Sequence, residues 1–516
     1  MASAVTADEV VHPDGRHELR SAGALAGSPL YNADLAPVPI ERRTWTTYNY
    51  CALWIGMAHN IPTYLLASGL IALGMAWYQA VLTIALGNLI VLIPMLLNSH
   101  GGTKYGIPFP VLARASFGVF GANLPALLRA FIACGWFGIQ SWIGGEAVFT
   151  LMGALLGPAW SRAATVLGNP WTLWLSFAIF WVIQMAIILR GMDTLRRFEN
   201  WAAPFVLVVA LFLLAWMVIA AHGFGPILGQ GGKVGWGPSF WTLFFPSLMA
   251  MLAFWSTLSL NMPDFTRFGA SQRQQALGQA LGLPTTMTFF PLLSVLITSA
   301  TVVVYGKPIW DPVALTGQFT NPLVVVVALF TLAVATISVN VAANTVAPSY
   351  DFSNLWPKAI GFRTGSLITG VLGILIQPWR LLADPHVYVF TWLGFYGGLL
   401  GSVAGVLIAD YWLVRRTELR LTDLYRTNGI YSYTAGWNAR GVVSIAVGAV
   451  LAVGGAYTAA GTPGPFPSAG LIWPLRPLYD YSWVVGFVVA LALYFVLTAL
   501  FPAGREERER RAPAAT

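Results

Sequence analysis

The chain has 516 residues, of which 57% are hydrophobic and only 9% charged, and its formal net charge is +8. Ordinary soluble domains carry about 25% charged residues, so this composition excludes a water-soluble globular protein and points to a polytopic membrane protein. The positive excess calls for no nucleic acid, because basic loops facing anionic lipid account for it. In chain order, apolar stretches of about 20 residues place twelve predicted spans near 46–73, 77–98, 123–153, 171–190, 199–221, 240–262, 281–305, 321–348, 364–384, 387–413, 441–461 and 481–502. The polar N-terminal segment holds no apolar h-region, so no cleavable signal peptide is expected, and "REERERRAP" near the C-terminus reads as a solvated charge run. With both termini cytoplasmic, 22 of the 28 Lys and Arg residues fall on cytoplasmic segments, the asymmetry that the positive-inside rule describes.

The first span contains "LWIGMAHNIPTYLLASGL", which carries Pro62 near its middle. Proline lacks an amide hydrogen and its ring clashes with the carbonyl four residues earlier, here that of Ala58, so the helix is predicted to break or unwind. Irregular backbone at membrane depth survives where it lines a cavity or is buried in protein, and discontinuous helices mark transporter binding sites. Carbonyls freed around Gly56 to Asn60 suit a small cation, and the Asn60 side chain suits a substrate. His59 reads as a structural residue beside that site.

In the third span, "ACGWFGIQSWIGG" sets Trp136 and Gln140 four residues apart, on one helical face. An aromatic plate thus stands beside a group that both donates and accepts. Glu146 lies well around the same helix. The sixth span, "FWSTLSLNMPDF", places Trp255 among hydroxyl residues before Pro263, with Asp264 and Arg267 expected as an interfacial ion pair. The eighth, "TLAVATISVNVAANTVAPSY", repeats the four-residue spacing with Asn340 and Asn344, beside a small-residue stripe of Ala335, Ser338 and Ala342.

Enzymatic constellations are scarce. The 6 histidines are scattered, and Cys51 and Cys134 both fall in predicted helices, so neither a disulfide framework nor a catalytic metal site is expected. No cofactor and no enzyme activity are expected, and the rival to transport is a membrane receptor.

The stretches "LAPVPIERRTWTTYNY", "LWIGMAHNIPTYLLASGLIALGM", "LGNLIVLIPMLLNSHGGTKYGIPFPVLARASFGVFGANLPALLRAFIACGWFGIQSWIGG", "SVNVAANTVAPSYDFSNL" and "IADYWLVRRTELRLTDLYRTNGIY" resemble the nucleobase:cation symporter-1 family, nearest its allantoin permease and hydantoin transporter branch. The resemblance implies an all-α, LeuT-type fold. Spans one to five and six to ten form inverted repeats in a core over residues 45–415, followed by a cytoplasmic loop, 416–440, and two more helices within 441–502. The segments 1–44 and 503–516 are expected as cytoplasmic tails.

The same resemblance implies that a flat substrate lies between Trp136 and Trp255 and is read by Gln140, Asn344 and Asn60, the last standing where hydantoin carriers have Gln. It implies a sodium site made by carbonyls near Gly56 and His59 and by Ala335, Ser338 and the next residue. That residue is Val339, where sodium-dependent members carry a hydroxyl, so the coupling ion is Na+ or H+, with His59 or Glu146 as groups able to titrate. No Lys, Arg or carboxylate stands beside the aromatic and amide cluster, which suits a neutral ring. The expected function is cation-coupled import of such a heterocycle, allantoin or a hydantoin foremost, by a monomer in the cytoplasmic membrane, with uracil, cytosine or purine as the alternative.

Overall fold

In a bilayer every backbone polar group must be satisfied within the protein, which favours helices. The computed structural model describes residues 9–21, 25, 27–58, 60–190, 192–319, 321–382 and 384–502, with only the backbone described at 192–204, 206, 338 and 342. A short antiparallel hairpin, β1 (Glu9–Val11) and β2 (His17–Leu19), opens the described chain. The first predicted span is split into α1 (Thr47–Ala58) and α2 (Ile61–Ala72). Next come α3 (Trp77–Tyr105), α4 (Phe109–Phe117) and the long α5 (Asn123–Leu156). A second hairpin, β3 (Thr165–Val166) and β4 (Asn169–Pro170), leads into α6 (Trp171–Arg190) and α7 (Met192–Ala220).

The sixth span is also split, into α8 (Pro238–Phe254) and α9 (Ser256–Asn261). After α10 (Gln272–Tyr305), the eighth span divides into α11 (Pro322–Asn344) and α12 (Val346–Leu355). The chain continues through α13 (Phe362–Leu375), α14 (Val387–Val414), whose two ends widen into π-helical turns, α15 (Ala439–Val453) and α16 (Ser482–Leu500). Local signals explain several ends: the Ser271 hydroxyl caps the start of α10, while Gly106 and Gly306 close α3 and α10 in the left-handed conformation that glycine tolerates.

Among the described residues, seven helical stretches are long and apolar enough to cross a bilayer: α3, α5, α6, α10, α11–α12, α14 and α16. The remaining five predicted spans hold shorter apolar helices. The ninth and eleventh end earlier than predicted, at Leu375 and Val453. Large apolar side chains such as Leu89, Ile93, Phe212 and Val488 stand exposed on the outside of the bundle, where lipid rather than water matches them.

Within the bundle, α5 packs along α6 and α11, α1 and α3 pack on α10, and α14 packs on α15 and α16. The crossing of α5 and α13 depends on glycine, since a Cβ on Gly138 would run into the Gly373 carbonyl oxygen.

The segment before α1 is folded rather than a loose tail. Leu25, Leu30 and Leu35 are buried with Tyr411, Leu424 and Tyr425. Glu9 accepts from the Thr422 amide (3.1 Å), and the Tyr425 hydroxyl donates to the Leu35 carbonyl (2.7 Å). Arg43 donates to the carbonyls of Val38 and His17, each at 2.8 Å; burial pulls its guanidinium down to about 10, which leaves it charged at neutral pH. Asp264 and Arg267 are likewise buried rather than interfacial. Asp264 accepts from the Phe109 amide (2.8 Å), while Arg267 donates to the Asp34 carbonyl (3.0 Å) and lies over the Tyr350 ring.

Candidate functional site

Three of the predicted spans, the first, sixth and eighth, are interrupted. At the first, the proline rule holds: α1 ends at Ala58, and Pro62 occupies the first turn of α2, where its missing amide hydrogen costs nothing. Asn60 stitches the break, its Oδ1 accepting from the Thr63 amide (2.7 Å) and its Nδ2 donating to the Met57 carbonyl (2.5 Å). Its expected role as a reader therefore competes with capping. The Tyr388 hydroxyl donates to the Pro62 carbonyl (3.1 Å), tying α14 to this break. At the second break Trp255 itself is the junction, and at the third it is Thr345.

Trp136 and Trp255 are each 4% exposed. Phe254 stands between them, edge-on to both, with ring centroids 5.3 Å from Trp136 and 5.0 Å from Trp255. Trp54 meets the other side of Trp255 at 5.1 Å. Around Trp136, α14 presents Tyr388, Trp392 and Tyr396, and the Trp136 Nε1–H donates to the Tyr396 hydroxyl (3.2 Å). The two expected plates thus belong to one aromatic cluster. The buried Gln140 Oε1, Trp255 Nε1, Trp54 Nε1 and Trp392 Nε1 have no hydrogen-bond partner. Such atoms are uncommon inside native proteins.

The amides of α11 divide their work. Asn340 donates to Gln184 Oε1 (2.7 Å) and the Phe137 carbonyl (3.1 Å), which glues α11 to α6 and α5. Asn344, at the end of α11, donates to Asn340 Oδ1 (2.9 Å) and is 6% exposed. The carriers of the expected cation site, α1 with Gly56 and α11 with Ala335, Ser338 and Val339, pack together. Ala335 and Val339 are buried; His59 lies outside the described residues, and of Ser338 only the backbone is described.

Two cavities approach this centre. One, of about 440 Å³, is mostly apolar and reaches the first break, where Asn60, Ile61 and Tyr64 face Thr331 and Ala335 of α11. The other, of about 540 Å³, is more polar and is lined by Trp142, Glu146, Trp310, Asp311 and Trp379. Trp136, Gln140, Trp255 and Asn344 line neither. The structure thus brings Asn60 and Ala335 to one cavity and leaves Trp136, Gln140, Trp255 and Asn344 outside both.

Sequence reasoning passed over Phe254, Tyr388, Trp392 and Tyr396. The last three recur every four residues, the spacing of one helical face, and that periodicity was the available signal. Gly135 makes room for them, since a Cβ there would strike the Trp392 ring.

Comparison with known proteins agrees with this architecture. The family model described as "permease for cytosine/purines, uracil, thiamine, allantoin" matches residues 37–486. The allantoin permease of Bacillus subtilis is 42% identical over 92% of this chain and 94% of its own length. The purine-uracil permease NCS1 of Arabidopsis thaliana is 40% identical over 91% of this chain and 78% of its own. The structure of Mhp1, a nucleobase-cation-symport-1 family transporter in a closed conformation with bromovinylhydantoin bound, superposes with a TM-score of 0.75 at 25% identity, covering 93% of this chain and 99% of that one. The split first and sixth spans are those expected of the LeuT-type fold, and the chain belongs to the nucleobase-cation symporter family, the permeases for cytosine and purines, uracil, thiamine and allantoin.

Proposed function

We propose that this chain imports a neutral, flat ring bearing adjacent N–H and C=O groups, allantoin foremost, across the cytoplasmic membrane, driven by a cation gradient. The observation that carries this reading is the pair of buried, partnerless atoms Gln140 Oε1 and Trp255 Nε1 beside the Trp136–Phe254–Trp255 cluster. One accepts and one donates, the complement of such a ring. The name of the Bacillus relative supports allantoin; that of the Arabidopsis relative supports a purine or uracil as the second reading.

In this mechanism Trp136 and Trp255 are the plates and Phe254 moves aside to admit the ring. Gln140 and Asn344 read the polar edge. Asn60 joins them when it releases the Met57 carbonyl. The breaks between α1 and α2, at Trp255 and at Thr345 let helix halves tilt without breaking their hydrogen-bond ladders, giving alternating access around one central site. The cation binds between α1 and α11 and favours the outward-open arrangement through differential affinity. Val339 offers no hydroxyl oxygen there, so a proton competes with sodium as the coupling ion. The arginine distribution supports cytoplasmic termini and a ten-helix core with two added helices, and the chain acts as a monomer.

The test is uptake of labelled allantoin into proteoliposomes under an imposed sodium or proton gradient, with unlabelled hydantoin, uracil and cytosine as competitors. Saturable, gradient-driven accumulation is expected. Uracil or purine uptake without allantoin uptake would replace the substrate, and ring binding without any uptake would make the protein a receptor.

A further inference from the structure

We propose that the polar cavity bounded by Trp142, Glu146, Trp310, Asp311 and Trp379 is a second, transient binding site, which captures the same class of ring before it reaches the central site. This rests on the reading of the protein as a ring importer. The cavity has about 540 Å³ of space, ample for one small heterocycle. Its walls repeat the chemistry of the centre, indoles beside polar groups, with carboxylate acceptors in place of amides.

Those acceptors are held in position. Glu146 Oε1 accepts from the Trp142 indole N–H (2.7 Å). Asp311 caps the short helix Pro312–Thr316 through the amides of Val313 (3.0 Å) and Ala314 (3.3 Å). Carboxylates accept more than one hydrogen bond per oxygen, so both retain capacity for N–H donors, while Lys307, on the same cavity, supplies a donor for a ring carbonyl. Trp142 is itself clamped by Trp174, Phe177 and Trp379 at centroid distances of 5.4–5.6 Å.

The position relative to the centre makes the cavity an antechamber. Glu146 follows Gln140 by six residues on α5, a rise of about 9 Å along the helix axis. Leu65 and Ile143 line the cavity and also belong to the packed cluster that contains Trp136 and Trp255. They form the floor of the cavity and are continuous with the packed core that holds the two indoles. Ser68 of α2 donates to the Trp310 carbonyl (2.7 Å), so tilting of α2 at the first break carries a wall of the outer chamber with it. Opening the floor and reshaping the chamber are then one movement.

Equilibrium and kinetic binding of labelled allantoin to the full chain in nanodiscs tests this. Wild type is expected to show a tight and a weak component. Trp136→Ala should abolish the tight component and leave the weak one. Glu146→Gln and Trp310→Ala should weaken the weak component about tenfold, as loss of a hydrogen bond to a charged group or of a stacking face does, and slow association with the tight site. A single component in wild type, with an association rate unchanged in both outer variants, would overturn the antechamber and leave the importer reading intact. No binding of allantoin, hydantoin, uracil or cytosine to wild type at any concentration would overturn both.

Discussion

The breaks in the first and sixth spans produce the same interruption by different means. At the first, a proline stops α1 and one side chain, Asn60, satisfies an orphan amide and an orphan carbonyl together. At the second, Trp255 is the junction and caps nothing with its side chain, while the Ser256 hydroxyl donates back to the Leu252 carbonyl (3.0 Å). The bend is held from outside: Tyr396 donates to the Ala253 carbonyl (2.9 Å), and Trp483 donates to the Ser256 hydroxyl (2.6 Å). The Trp255 Nε1–H is left without a partner. A break that caps itself is complete without ligand, whereas one held by its neighbours, with an unmet donor, gains from whatever binds beside it.

The largest effect expected from this contrast comes from the indoles. Trp136→Ala or Trp255→Ala should abolish saturable uptake while surface expression persists, since each ring contact contributes about 1 kcal/mol or more and the cluster is shared. Wild-type affinity in both would dismiss the stacking model. At the self-capped break, Asn60→Ala should lower stability by about 1 kcal/mol, the usual loss at a helix N-cap. Asn60→Ser keeps an N-cap oxygen, so thermal unfolding should recover with serine; if uptake does not recover with it, the amide reads substrate as well as capping.

Smaller changes separate readers from bystanders. Gln140→Ala and Asn344→Ala should weaken tight ring binding several-fold, by about 1 kcal/mol each, and more than Glu146→Ala does; a titration giving the reverse order would relocate the central site. The smallest change is Val339→Ser, which adds one oxygen near the expected cation position. It should raise the sodium dependence of uptake with little effect on substrate affinity, and an unchanged sodium response would place the ion elsewhere.

Much of the fold was legible because membrane burial writes long apolar runs into the sequence, and every predicted span contains a helix. The break at Pro62 was legible for the same kind of reason, a local steric rule. That rule also applies at Pro348, whose ring opposes the carbonyl of Asn344, where α11 ends. Yet Pro94, Pro246, Pro284 and Pro291 all sit inside continuous helices, so proline alone does not decide a break. Trp136 and Gln140 stood out by spacing within one helix. Phe254 and the α14 aromatics did not, because their meeting with Trp136 depends on how distant helices pack. Asn340 and Asn344 look alike in sequence, and only the approach of Gln184 makes the first of them glue.

The folded segment before α1 has a consequence for how the protein is made. Glu9, Ser28 and Leu35 leave the ribosome early, but their partners Thr422 and Tyr425 are synthesised only after α14. Until then the segment has only part of its seat, the buried Tyr105, Ile107, Val111 and Leu112 of the α3–α4 region, and Arg114, which donates to the Leu30 carbonyl (3.2 Å). An interrupted chain would leave Glu9, Ser28 and Leu35 without these partners, so the last contacts of this segment close only once translation has passed Tyr425.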